Sequence, residues 1–168
     1  YLPVFRRMIS TPVEGEYRID LDYFQYQYVP GSRRGYVSRR FIEELGQPRR
    51  KGEPIEQRHQ DIAAAGQKVL EETVLHLTRY LHEISGLQSR LCIGGGVGLN
   101  CSMNGMLLAQ SPFDEIFVQP AAGDDGIALG AAWHIYHEIL DKPRSRESLL
   151  GILTDSDREN ETLLDAPP

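Results

Sequence analysis

The chain is 168 residues long, 40% hydrophobic and 25% charged, with a formal charge of −6. That composition fits one ordinary globular domain with a core of useful size. The acidic balance argues against nonspecific nucleic-acid binding, no apolar run of about eighteen residues offers a membrane span, and no signal-peptide pattern is present, so a cytoplasmic protein is expected.

Residues 1 to 15 read as a short mixed segment punctuated by Pro3, Pro12 and Gly15. The chain opens on Tyr1 in mid-pattern, without an initiator Met, and is read as a piece of a longer protein. Aromatic residues then crowd together at Tyr17, Tyr23, Phe24, Tyr26 and Tyr28. Arg18, Asp20 and Asp22 alternate with apolar neighbours, which predicts one short strand near Tyr17 to Leu21. Packing, rather than an aromatic ligand box, is the expected job of these rings. Gly31 to Arg58 is basic, with Arg33, Arg34, Arg39, Arg40, Arg49, Arg50, Lys51 and Arg58 against Glu43, Glu44, Glu53 and Glu56. One helix is expected at Ser38 to Leu45. The loops around it read either as a solvated insertion or as an anion-facing flap in which Gly46 and Pro48 hold Arg49 and Arg50.

Pro54 or Ile55 begins a predicted long helix that runs to about Ser85. Ile62, Val69, Leu70, Thr73, Val74, Leu77, Leu81 and Ile84 recur at helical spacing and make one apolar face. Ala63, Ala64, Ala65 and Gly66 leave room for close packing. His76 and His82 are read as surface or boundary residues, and His59 lies near the helix start with a site role open. Gly86 is the stop.

A short strand at Arg90 to Ile93 runs into Gly94, Gly95 and Gly96, and Asn100 opens a helix that ends near Gln110, before Ser111-Pro112. A second strand, Glu115 to Gln119, runs into Ala121-Ala122-Gly123-Asp124-Asp125-Gly126 and a second helix to about Leu140. Ala128, Ala131, Ala132, Ile135 and Ile139 are its expected buried stripe. Two strands of one sheet thus deliver two glycine turns to one shared cleft, each opening a helix. Such turns suit a polyphosphate, because glycine lets the backbone approach closely and a helix N-terminus offers free N–H groups. Two carboxylates in the second turn would repel phosphate without a cation, so a metal–nucleotide is the expected guest. The plainer alternatives are a ligand-free turn for GGGVG and a helix cap for Asp124-Asp125. No Gly-Lys-Ser/Thr follows, which excludes a Walker loop, and the GxGxxG phase of a dinucleotide fingerprint is missing. His134 and His137 are expected to face solvent. Cys92, in the buried strand, and Cys101 match no zinc spacing and are expected as reduced, packed thiols. After Lys142-Pro143 an acidic tail, 144–168, is expected to be disordered.

LCIGGGVGLNCSMNGMLL at Leu91 to Leu108, followed by FDEIFVQPAAGDDGIALGAAW at Phe113 to Trp133, resembles the carbamoyltransferase family that includes nodulation-factor and antibiotic O-carbamoyltransferases. RIDLDYFQY at Arg18 to Tyr26, GQPRR at Gly46 to Arg50 and HQDIAAAGQKVLEE at His59 to Glu72 stand in the order that family uses. GGVGLN and GDDGIALG are more distantly similar to hydrogenase-maturation carbamoyltransferases and tRNA threonylcarbamoyl transferases. The resemblance implies an α/β, actin-like ATPase (ribonuclease H-like) half-domain, a mixed sheet packed by helices. Residues 1–143 would form the second, C-terminal half of the nucleotide-binding domain.

The chemistry it implies has two steps. Carbamoyl phosphate, water and ATP give carbamoyl-adenylate with release of inorganic phosphate and pyrophosphate, and the carbamoyl group then passes to an acceptor hydroxyl. By motif, Gly95, Gly96, Asn100 and Gly123 would meet the nucleotide. Asp124 would be the one carboxylate ligand of a divalent metal, iron, magnesium or manganese, and Asp125 would cap the helix or hold a water. The family's remaining ligands are a His-x-x-x-His pair that precedes the matched region, and none occurs in this chain. Taken alone, the chain is expected neither to hold metal tightly nor to catalyse, and no catalytic residue is assigned. Its partners would be carbamoyl phosphate, ATP, a hydroxyl acceptor and the missing halves of its domain. A kinase-like phosphotransferase and a non-catalytic interaction module remain as alternatives.

Overall fold

A computed structural model describes residues 1–25, 37–86 and 89–143. Arg33, Arg34, Tyr26, Tyr28 and the expected disordered tail at 144–168 lie outside the described residues. The chain divides into two compact units, Tyr1–Ala122 and Gly123–Pro168.

The first unit opens with a helix, α1 (Leu2–Met8), where the sequence predicts none. Pro3 sits in its first turn, where a missing N–H costs nothing, and Arg6 and Arg7 fall in the last turn, where they suit the helix dipole. β1 (Ile9–Ser10) pairs antiparallel with β2 (Arg18–Ile19), Ile9 against Ile19. The predicted strand at Tyr17 to Leu21 therefore shrinks to two residues. Its next residue, Asp20, turns its side chain back to accept the Asp22 N–H at 3.1 Å and starts a 3-10 turn, Leu21–Tyr23. Between the strands, Gly15 has φ +74°, and a Cβ there would lie 2.2 Å from the Tyr80 ring, so only glycine fits.

α2 (Arg39–Leu45) starts at Ser38, whose hydroxyl accepts the Phe41 N–H. α3 (Gln57–Ser85), 29 residues long, ends where its periodicity predicts and starts after the expected Pro54 or Ile55. Arg58 in its first turn donates to the carbonyls of Leu45 and Gln47, both at 3.1 Å, and so closes the end of α2. His59 is used in the same place: its Nδ1 accepts the Glu56 N–H at 2.9 Å. Ala65, Val69, Thr73 and Thr78 are buried, whereas Leu81 and Ile84, counted on the apolar face by spacing, are exposed. α1 rests on the middle of α3. A Cβ at Gly66 would come within 3.2 Å of Phe5, and Arg6 makes two bonds to Glu72, at 2.8 and 3.1 Å.

Met8, Tyr23 and Leu45 form the centre of a core that Val4, Phe5, Ile9, Phe24, Phe41 and Ile62 surround. Tyr23 thus packs, as expected for the aromatic run, while Tyr17 is exposed. The rim of this core is ionic. Tyr23 donates its hydroxyl to Glu44 at 2.8 Å, and the Arg40 guanidinium lies 4.1 Å over the Tyr23 ring. Arg40 also bonds Asp20 and Glu44, and Arg7 pairs with Glu44.

The remainder of the first unit is β3 (Arg90–Ile93), α4 (Cys101–Gln110) and β4 (Glu115–Val118). The second unit holds α5 (Gly126–His134), continued by a π-helical turn, Ile135–Ile139. The expected stripe of Ala128, Ala131, Ala132, Ile135 and Ile139 is exposed throughout. The described part of this unit supplies no second layer to cover it, and an apolar stripe is buried only against another element. No helix among the described residues is long and apolar enough to cross a membrane. The described residues form a mixed α/β architecture with two two-stranded sheets.

Glu44 ties three elements together, and this has a consequence in acid. The Tyr23 hydroxyl, together with the guanidinium groups of Arg7 and Arg40, holds its carboxyl below the ordinary glutamate value. A depressed folded-state pKa stabilises the fold above the unfolded value, and that stabilisation is lost as pH falls through the folded one. Denaturant midpoints of the chain should therefore drop as pH falls from about 5 to about 3. Glu44→Gln should lower the midpoint at neutral pH and flatten this acid limb.

Candidate functional site

β3 and β4 lie parallel and in register, Arg90 opposite Glu115 and Ile93 opposite Val118. The pairing extends one bond further, from the Gln119 N–H to the Ile93 carbonyl at 3.0 Å. Both strands therefore end side by side. The C-terminal edge of parallel strands is where an open α/β sheet offers a ligand its backbone. Leu91, Ile93, Ile116 and Val118 point to the covered side of the pair. Cys92 and Phe117, which face each other in register, are exposed on the opposite side. Cys92 and Cys101 are free thiols but are both exposed, which corrects the expectation that they are packed. Strand alternation turns Cys92 away from the buried Leu91.

The glycines after β3 do three separate jobs. Gly95 has φ +90°, a conformation that costs other residues strain, and it makes the sharp exit from the strand. Gly98, within the short 3-10 turn Gly96–Leu99, is buried. A Cβ there would come within 3.2 Å of Ile93 and 3.3 Å of the Ala122 Cβ. Its lack of a side chain lets the turn seat on the strand ends and on Ala122 of the next turn. Gly94 and Gly96 have open space where a Cβ would stand. They leave a strip of bare, exposed backbone at the strand end.

Asn100 closes this turn. Its Oδ1 accepts the Met103 N–H at 2.9 Å and caps α4. The same amide is paired both ways with Gln67 of α3: Asn100 Nδ2 donates to Gln67 Oε1 at 2.8 Å, and Gln67 Nε2 donates to Asn100 Oδ1 at 3.1 Å. One turn into α4, Asn104 donates to the Gly98 carbonyl at 2.7 Å. Sequence reasoning singled out Gly95, Gly96 and Asn100 and missed Gln67, Gly98 and Asn104. The structure brings all six to the first turn. The signal for Gly98 was its place in GGGVG. Gln67 stands in a helical stretch that gives no local sign of a partner 33 positions away.

Gly123, Asp124 and Asp125 belong to the second unit. The Gly126 N–H donates to the Gly123 carbonyl and the Ile127 N–H to the Asp124 carbonyl, which builds the first turn of α5. Asp125 stands at the N-cap position but is itself helical and makes no side-chain cap bond, so the capping role offered for it is not filled. Among the described residues, the exposed carboxylate of Asp124 has no hydrogen-bond or ion-pair partner, and its oxygens are chemically suited to a hard divalent cation. Among the described residues, no three His, Cys, Asp or Glu side chains gather in a metal-binding group. His134 is exposed, and His137 Nδ1 meets the Lys142 carbonyl at 2.9 Å. In the basic loop, Arg49 donates to the Glu53 carbonyl, Glu53 accepts the Arg50 N–H, and both arginines are exposed.

Comparison with known proteins shows the family. The family model described as carbamoyltransferase N-terminus matches residues 4–133. The chain is 40% identical over 161 residues to nodulation protein NolO of Bradyrhizobium diazoefficiens, covering 96% of this chain and 26% of that protein. It is 42% identical over 144 residues to nodulation protein NolNO of Sinorhizobium fredii, covering 85% of this chain and 19% of that protein. An uncharacterized protein of Synechocystis is 39% identical over 142 residues, covering 84% of this chain and 22% of that protein. The chain thus spans about a quarter or less of the length of the curated relatives it matches.

The three glycine roles separate by stability. Gly98→Ala should cost about 1–3 kcal/mol, because stiff neighbours cannot make room. Gly94→Ala and Gly96→Ala, with open space around them, should stay within about 0.5 kcal/mol of the parent chain. Urea unfolding of the three variants checks this order.

Proposed function

The chain belongs to the carbamoyltransferase family, and we propose that the protein carrying it moves a carbamoyl group from carbamoyl-adenylate to an acceptor hydroxyl. The observation that carries this reading is the family match over residues 4–133, which includes both strand ends and both turns. On this reading the chain is the second half of an actin-like nucleotide-binding domain. Carbamoyl phosphate and ATP are the small-molecule substrates, and the enzyme works in the cytoplasm.

In the first unit, Gly95 and Gly96 give the nucleotide phosphates close access to the backbone, and Asn100 holds the turn in shape at its exit. In the second unit, Gly123 gives the nucleotide access to the backbone ahead of α5, and Asp124 supplies one oxygen ligand to a divalent metal. When bound, that metal spreads the charge on the phosphate oxygens and makes the adenylate a better leaving group. The other metal ligands come from the part of the protein that precedes this chain. Transfer forms the bond from the acceptor oxygen to the carbamoyl carbon and breaks the bond to the adenylate phosphate. AMP leaves, and the hydroxyl proton passes to solvent or to a base outside this chain.

The test uses the full-length protein and follows a radiolabelled carbamoyl group from carbamoyl phosphate to a hydroxyl acceptor in the presence of ATP. Gly96→Ala and Asp124→Asn should each lower transfer by about 100-fold. Unchanged rates in both variants would contradict the site. The 168-residue chain alone should bind magnesium-ATP no tighter than about 1 mM by calorimetry. Micromolar binding would contradict the half-site reading.

A further inference from the structure

We infer that Gln67, in the middle of α3, is the positioning residue of the glycine turn and acts on the nucleotide through Asn100. This rests on the nucleotide reading above.

An N-cap needs only an acceptor. Ser or Asp at position 100 would serve α4 as well as Asn does. The amide at this position adds a donor, and that donor goes to Gln67 Oε1 at 2.8 Å. Neighbours with a single hydrogen-bonding role fix the direction of both amides. The Met103 N–H can only donate, so the atom of Asn100 that meets it is the oxygen. Glu71, an acceptor when ionised, takes a bond from Gln67 at 2.8 Å, so the atom of Gln67 that meets it is the nitrogen. The result is one directed chain, Glu71 to Gln67 to Asn100 to the first turn of α4. Both Gln67 amide hydrogens and its carbonyl are used in it.

This chain holds the turn from one side only. Asn104 fixes the Gly98 carbonyl from α4, and Gly98 itself is packed on Ile93 and Ala122. Gly94 and Gly96 touch nothing at their Cβ positions. The open strip therefore takes its placement from its two ends: β3 at the start, and the Asn100–Gln67 pair at the exit. α3 is anchored independently, by Arg6 on Glu72 and by Arg58 on the end of α2. Removal of the Gln67 amide leaves those anchors and the α4 cap intact and frees only the exit of the turn.

The experiment compares the full-length protein with Gln67→Ala, Asn100→Ser and the double variant. Ser at position 100 keeps the cap and deletes the amide partner. Two readouts are taken: hydrogen exchange of the 94–100 amides without nucleotide, and KM for ATP against kcat. Gln67→Ala should speed exchange across the turn and raise KM for ATP about tenfold with kcat within about twofold. The double variant should be no worse than Asn100→Ser, because both changes cut one link. Additive effects in the double variant would overturn the inference, as would exchange that does not change in Gln67→Ala. Faster exchange with an unchanged KM would overturn it as well. In that case the fault lies with the nucleotide reading, which the same result for Gly96→Ala would identify.

Discussion

The middle of α3 sets where the rest of the first unit sits. Gly66 brings Phe5 of α1 down onto the helix, and the next residue, Gln67, reaches the turn between β3 and α4. Little more than a turn further on, Glu72 takes the guanidinium of Arg6. A glycine inside a helix costs about 1 kcal/mol relative to alanine, and here the close approach of α1 offsets it. Packing of its buried face, more than propensity, holds a helix of this kind in a folded chain. It acts as the common reference for a core on one side and a glycine turn on the other.

That turn shows how one residue type can carry separate physical tasks. Gly95 supplies a backbone angle, Gly98 supplies contact, and Gly94 and Gly96 supply access. The surrounding amides are used within the chain: Asn100 and Asn104 satisfy the helix start and the Gly98 carbonyl, and the backbone of 94–96 ahead of them is exposed. The exit of the turn is thus bonded to α3 and to α4, while Gly94 and Gly96 ahead of it stay bare.

Much of this was legible in the sequence, for reasons particular to each element. α3 carries its period over 29 residues, and β3, α4 and β4 are bounded by glycine, asparagine and Ser111-Pro112. α1 was not legible. It is seven residues long, too short for a period, and its anchor on Glu72 lies 66 positions away. The same distance problem hid the role of Gln67, and with it the full load on Asn100, which the sequence offered as a ligand contact. Cys92 was read as buried because its strand is apolar, but in a two-stranded pair only one face is covered. The α5 stripe was misread for a related reason: its apolar residues report a face that needs a partner, and the described part of that unit contains none.

The account stands on the bare backbone at the end of β3 being the place where a nucleotide lies. The most direct measurement is a backbone-amide NMR titration of the full-length protein with a non-hydrolysable ATP analogue and magnesium. The account predicts that the largest shifts fall on Gly94, Gly95 and Gly96 and saturate together. Saturable shifts confined to other segments, such as the basic loop around Arg49 and Arg50, with these three amides unmoved, would contradict it.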